Sequence, residues 1–291
     1  GFCLRMASSS LVGTEVSVTS ITLRFRSASP WGMRRVGSHA VSRTKAPRIA
    51  DVWRLLIPTK NVGLPILRPV ASWRYGRGQI YPTMGTKAAL KQVRSLQQKK
   101  YREQQGLFLV QGVKPVLELL SSTWRVEALY ATAAAAGRIG DPRAVILEDH
   151  ELQRIGTLEA GNEVVAVVHI DRPAPVATLG PSELVIALDG ISDPGNMGTL
   201  LRIADWFGVA RVICSADCVE EFNPKCVQAS MGSLFRVSVH RAGLPQVLGD
   251  LQASGAALYL ASMEGEAVFD VPLARPAVLV LGSESHGVSQ E

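Results

Sequence analysis

From residue 84 onward, two hydrophobic patterns alternate along the chain. Short apolar runs bounded by turn residues read as buried strands, and apolar positions spaced three and four apart read as helices. In the first half, Lys87 to Gln104 reads as one basic amphipathic helix, with Leu90, Val93, Leu96 and Tyr101 on its apolar side. It is followed by a strand at Leu107 to Val110, a helix at Lys114 to Ser121 and a strand at Val126 to Tyr130. A short helix at Glu148 to Arg154 and a strand at Val164 to His169 complete this half. In the second half, strands are predicted at Leu184 to Leu188, Arg211 to Cys214, Arg236 to His240, Ala257 to Ala261 and Val278 to Leu281. Helices fall between them at Met197 to Phe207, Pro224 to Met231 and Leu244 to Ser254. Such alternation predicts an α/β fold with a parallel sheet and helices on its faces.

The pattern divides the chain into a small α/β module at 84–170, a linker at 171–181 and a second domain at 182–291. The linker carries three prolines and a glycine, which punctuate structure rather than continue it. Residues 1–83 show no sustained period of either kind. They hold thirteen Lys or Arg against two acids, Glu15 and Asp51, a net of +11. The whole chain of 291 residues is +6, so residues 84–291 net −5. The globular part is therefore not a uniformly basic nucleic-acid binder, and any RNA contact there must come from local patches. Its most basic patch is formed by Lys91, Arg94, Lys99, Lys100 and Arg102. Three readings fit residues 1–83: an Arg- and Ser-rich transit sequence, a basic disordered arm, or upstream sequence foreign to the natural product. The last is preferred because a natural start is available at Met84. Location in the cytoplasm then follows, with the mitochondrion as the alternative if the Arg-rich segment is a genuine presequence.

Cysteine use is sparse: Cys3, Cys214, Cys218 and Cys226. The last three lack an evident fourth ligand apart from His240, so buried reduced thiols are expected and no metal. No apolar run reaches the roughly 20 residues a membrane-spanning helix needs.

Two loops carry candidate chemistry. The strand ending at Leu188 runs into Asp189-Gly190-Ile191-Ser192-Asp193-Pro194-Gly195-Asn196, which opens a helix bearing Arg202. Asn196 is placed to cap that helix, while Gly195 and Gly198 leave the backbone bare for a ligand. Arg202 can offer a planar fork to a phosphate or carboxylate. From spacing alone, an ordinary strand–turn–helix corner with a solvated arginine fits equally well. The second loop, Gly282-Ser283-Glu284-Ser285-His286-Gly287, again follows an apolar strand. It lacks the Gly-x-Ser-x-Gly spacing of a nucleophile elbow. The chain has no phosphate-binding Walker loop and no Gly-x-Gly-x-x-Gly fingerprint, which argues against a nucleotide-dependent oxidoreductase.

Together these residues resemble the SpoU (TrmH-like) RNA ribose methyltransferases. Asp189 to Gly208 is similar to the family's first motif and Val278 to Ser289 to its second. Asn223-Pro224-Lys225 and Ala229-Ser230-Met231-Gly232-Ser233 lie between, as family segments do. Arg94 to Arg102 and Gly106 to Gly112 are similar to the family's N-terminal substrate-binding domain. Two departures stand out: Gln111 replaces an expected glutamate, and Ser283-Glu284-Ser285-His286 varies the commoner Asn-Glu-Gly form.

The resemblance implies a SPOUT-type trefoil-knot methyltransferase domain acting as a homodimer, with S-adenosylmethionine as methyl donor. It implies methylation of ribose 2′-hydroxyls, with ribosomal RNA favoured and transfer RNA the alternative substrate. Asn196, Arg202 and Glu284 map to catalytic positions. Leu260, Ala261, Ser262, Gly282, Ser283 and Gly287 map to the donor site. The sequence ends at Glu291 before the family's third motif, so an incomplete knot, weak donor binding and little activity are expected of the chain as it stands. A non-catalytic RNA-binding factor on the same fold is the rival reading. A guanidinium with a pKa above about 12 suits charge stabilisation better than proton removal, so Arg202 is expected to position and stabilise.

Overall fold

The computed structural model describes residues 3–4, 18–24, 86–157, 162–262, 266–268, 270–284 and 286–289. Contacts divide the chain into two compact units. One comprises 65–176 and 185–244, and the other 1–64, 177–184 and 245–291. This division departs from the motif-based one, because the first α/β module clusters with the early strands of the second domain.

Two strands precede the module, β1 (Cys3–Leu4) and β2 (Val18–Arg24). The module's own sheet contains β3 (Leu107–Gln111), β4 (Val126–Ala131), β5 (Val145–Ile146) and β6 (Val164–His169). Their order is β3-β6-β4-β5, with β6 antiparallel to both β3 and β4, and β5 parallel to β4. Alternation along β3 sends successive side chains to opposite faces. Leu107 and Leu109 join Val93, Leu96, Tyr130, Leu152, Ile155, Val165 and Val167 in one core cluster. Phe108, between them, packs on Phe222 and Trp124 at centroid distances of 4.8 and 5.7 Å.

The predicted single helix at 87–104 is two, α1 (Lys87–Ser95) and α2 (Lys99–Gln105). Burying Leu96 turns the chain and leaves the carbonyls of Leu96 and Gln97 outside either helix. Arg102 serves both, its Nη1 donating to each at 2.9 Å. Its Nε and Nη2 donate to the two oxygens of Glu220 at 3.1 and 2.6 Å. Arg102 is 2 % exposed, so its predicted place on an RNA-contacting surface is overturned. The break between the helices turns it inward, where it serves four acceptors. Three helices complete the module: α3 (Val113–Leu120), α4 (Ala133–Ile139) and α5 (Asp149–Ile155). The apolar pattern did not mark α4, whose short run contains Gly137.

Beyond the linker, β7 (Leu184–Leu188), β8 (Arg211–Cys214) and β9 (Ser238–Arg241) run parallel in sequence order. The helices α6 (Pro194–Trp206) and α7 (Pro224–Ser230) pack closely. Gly198 is the reason: a Cβ there would lie 2.6 Å from both the Ala229 Cβ and the Cys226 carbonyl oxygen. This corrects the expectation that Gly198 clears space for a ligand. It clears space for α7.

The second unit contains the helix α8 (Leu244–Ala253) and the strands β10 (Ala257–Ala261), β11 (Glu266–Ala267) and β12 (Ala277–Leu281). The pair β10 and β12 is parallel, and β2 adds in parallel to the other edge of β10. A strand at 18–24 was not expected from the lack of period in residues 1–83. Its β-branched residues Val18, Thr19, Ile21 and Thr22 suit an extended chain. The remainder of the expectations for 1–83 lies outside the described residues.

Arg102→Ala should lower stability to urea by about 3–5 kcal/mol, because it leaves the Glu220 carboxylate buried without its cation. Arg102→Lys should recover only part of this, since one ammonium cannot reproduce the fork on Glu220 and serve two carbonyls. Equilibrium denaturation of the three proteins checks both statements.

Candidate active site

The strand β7 ends in a turn that is held from below by the loop after β8. The Leu188 carbonyl accepts from the Ser215 amide at 2.9 Å and from the Cys218 thiol at 3.2 Å. The Gly190 amide donates to Ser215 Oγ, the Ile191 amide to Cys218 Sγ, and the Val219 amide to the Ile191 carbonyl. Arg241 braces this loop in turn, donating to the carbonyls of Ser215, Cys218 and Val219 and to Glu221. The Cys218 thiol is drawn down to about 6, chiefly by its hydrogen bond with Cys214, with Ser215, the Ile191 amide and Arg241 adding against burial. Cys214 is pushed up by the same hydrogen bond and by burial. Cys214, Cys218 and Cys226 are all free and buried. Among the described residues there is no His, Cys, Asp or Glu cluster suited to a metal ion.

The helix α6 then begins with Asp193 as its cap, accepting from the Asn196 amide at 2.7 Å, and Pro194 in the first turn. Asn196 was expected to be the cap. Asp193 takes that place because an Asp directly before a first-turn Pro satisfies a helix N-terminus well. That signal was present in the sequence. The Asn196 side chain is thereby released from capping and is exposed, as is Arg202 on the following turns.

At the far end of β12 the chain forms a small closed loop. The amide of Ser283 donates to the Gly287 carbonyl and the amide of Gly287 to the Ser283 carbonyl, both at 2.9 Å. The His286 amide donates to Ser283 Oγ. Gly282 is required by this closure. A Cβ there would lie 2.0 Å from the carbonyl carbon and oxygen of Gly287 and 2.2 Å from the Val288 nitrogen, all rigid backbone. Gly287 has φ +70°, which favours glycine for a second reason. Glu284 and His286 are exposed on the loop.

The register of β10 and β12 pairs Leu260 with Val280. Ala261, the last residue of β10, and Ser262 thus lie beside Leu281 and Gly282, so the two segments expected to hold the donor lie together at the C-terminal edge of parallel strands. Ligands of open α/β sheets bind at such edges. On the first module, Lys91, Arg94, Lys99 and Lys100 are exposed, with Lys99 at 3.7 Å from Glu103.

Comparison with known proteins gives these loops a family. Residues 183–291 match the SpoU rRNA methylase family, and residues 87–168 match the MRM3-like substrate-binding domain. A solved TrmH-family protein from Porphyromonas gingivalis is 36 % identical, with a TM-score of 0.65 over 72 % of this chain and 84 % of that one. The chain belongs to the SpoU (TrmH-like) methyltransferase family. Another solved member, the SpoU methyltransferase AviRb from Streptomyces viridochromogenes in complex with AdoMet, is 26 % identical. Its TM-score is 0.61 over 70 % of this chain and 84 % of AviRb. The Bacillus subtilis 23S rRNA (guanosine(2553)-2′-O)-methyltransferase RlmP is 27 % identical over 68 % of this chain and 80 % of its own length. The SpoU match embraces both loops described above, and the second match covers the first module.

For this family member, Gly282→Ala should weaken S-adenosylmethionine binding at least tenfold while the far-ultraviolet dichroism of the protein is kept. A methyl group at 282 must displace backbone rather than a flexible side chain. Calorimetric titration of the natural gene product with the donor measures it, and an unchanged affinity would dissociate the loop closure from donor binding.

Proposed function

We propose that this protein transfers a methyl group from S-adenosylmethionine to a ribose 2′-hydroxyl of ribosomal RNA. The observation that carries the reading is the SpoU family match, which spans both loops. S-adenosylmethionine supplies an electrophilic methyl group on a sulfonium. The residues at the ends of β10 and β12 suit such a donor. Leu260 and Ala261 are apolar, and they stand beside a loop that closes over Gly282 and has open space at Gly287. Ser262 and Ser283 add polar groups at the same edge.

Methyl transfer from a sulfonium is an in-line displacement, so alignment supplies much of the rate. In this reading Arg202 holds the phosphate beside the target ribose and stabilises negative charge as the 2′-oxygen attacks. A permanently charged guanidinium is suited to that work and unsuited to taking the proton. Asn196, freed from capping by Asp193, offers an amide to the same ribose. Glu284 contributes a carboxylate from the closed loop. Lys91, Arg94, Lys99 and Lys100 contact the phosphates of the wider RNA substrate, with Arg102 excluded from that role.

Homodimeric assembly and a cytoplasmic location belong to the same proposal. Analytical ultracentrifugation and cell fractionation check them, and recovery in mitochondria would reassign the location. The large-subunit RNA is the preferred target.

Arg202→Ala should reduce kcat roughly 100- to 1000-fold, as removal of one preorganised charge-stabilising group does. The donor affinity should stay within about twofold, since Arg202 is assigned to the ribose. Methyl transfer to rRNA by the natural gene product, with parallel donor titration, measures both. RNA binding without any transfer, unaltered by the substitution, would mark a non-catalytic RNA-binding factor instead.

A further inference from the structure

Along α6 the positions Gly195, Thr199, Arg202 and Trp206 recur at four, seven and eleven residues, the spacing of one helix face. Thr199, Arg202 and Trp206 are exposed, and Gly195 is half-buried. Trp206 is 83 % exposed, whereas Trp124 is packed among Phe108, Phe222 and Phe235. An indole left in water at a helix end forgoes the burial that normally draws large aromatics inward. The end of the helix is also firmly held. Asp205 accepts from Ser233 Oγ at 2.8 Å and from the Arg236 guanidinium at 2.7 to 3.0 Å, and Arg236 reaches on to Glu118 at 2.6 Å. The indole therefore stands on a rigid base.

We propose that Trp206 is a stacking platform for an unpaired base of the substrate RNA, adjacent to the nucleotide that Arg202 engages. The proposal rests on the role given to Arg202 above. Residues four apart on a helix have Cβ atoms about 6 Å apart. Helical side chains lean toward the N-terminus, which takes the indole toward the turn bearing Arg202. A cation for a phosphate and an aromatic face for the neighbouring base, side by side, is the pairing by which proteins hold unpaired RNA. The small residues Gly195 and Thr199 keep the rest of the stripe low, so a strand can lie along it. Stacking is tolerant of base identity because every base has a π-face. Trp206 therefore acts as a positioning residue that fixes how the target nucleotide presents its ribose, and it makes no contact with the donor.

The test compares the natural gene product with Trp206→Ala and Trp206→Phe, using unmodified large-subunit rRNA transcribed in vitro as the probe. Trp206→Ala should weaken transcript binding roughly tenfold, within the range of one lost base–aromatic stack. KM for RNA should rise with little change in kcat, and donor affinity and sedimentation should stay as in the wild type. Trp206→Phe should restore most of the binding, and transcript should quench an indole signal that Trp206→Phe lacks. Unaltered transcript binding by Trp206→Ala overturns the proposal. So does a loss of binding accompanied by dissociation into smaller species, which would assign Trp206 to a protein interface. Tryptophan-dependent RNA binding in a protein that transfers no methyl group would leave the stacking role standing and remove the enzymatic reading.

Discussion

The Arg102–Glu220 ion pair is the contact on which the described structure most depends. Two buried charges stand at 2.6 Å, and the cation is held further by two carbonyls. Arg102 collects the carbonyls of the break between α1 and α2, and Glu220 lies on the loop that follows β8. That loop also carries Ser215, Cys218 and Val219, which hold the turn at the end of β7. A cation from the first module thus fixes a loop, and the loop fixes the turn that launches Asn196 and Arg202. Buried ion pairs contribute little net stability compared with apolar residues of the same shape, but they are costly to break. Here the pair specifies geometry: a bidentate fork allows one mutual orientation of its partners.

Both loops at the strand ends are held through their own main-chain amides and carbonyls. The first is tied by amides and carbonyls to Ser215 and Cys218. The second is closed by paired main-chain bonds between Ser283 and Gly287. Bonds of this kind fix the loops in advance, and preorganised groups lose little freedom when a ligand arrives. Gly198 and Gly282 have different duties in this arrangement. One admits a neighbouring helix, and the other admits the loop's own return strand.

Much of this was legible in the sequence. The alternation of apolar runs and helical spacing located most of the strands to within a residue or two, because it depends on neighbours in the chain. The two motifs, Asp189 to Gly208 and Val278 to Ser289, led to the family for the same reason. Long-range features were not legible. Arg102 lay in a run of basic residues and read as surface, yet its partner is 118 residues away. Gly198 read as a ligand-facing glycine because Ala229 and Cys226 come to it only through tertiary packing. The bracing role of Cys218 left no mark, since a sulfur that meets the Ile191 amide from 27 residues away has no sequence signature. The cap was different, for Asp193-Pro194 announced it and Asn196 drew the attention.

The central claim is that the transferred methyl group ends on a ribose 2′-oxygen of ribosomal RNA. It is tested most directly by incubating the natural gene product with methyl-labelled S-adenosylmethionine and unmodified rRNA, then digesting the RNA with alkali. A methylated 2′-oxygen cannot attack the neighbouring phosphate, so the account predicts label in alkali-resistant dinucleotides. Label recovered only in mononucleotides would place the methyl group on a base and contradict it, as would the absence of label from the RNA.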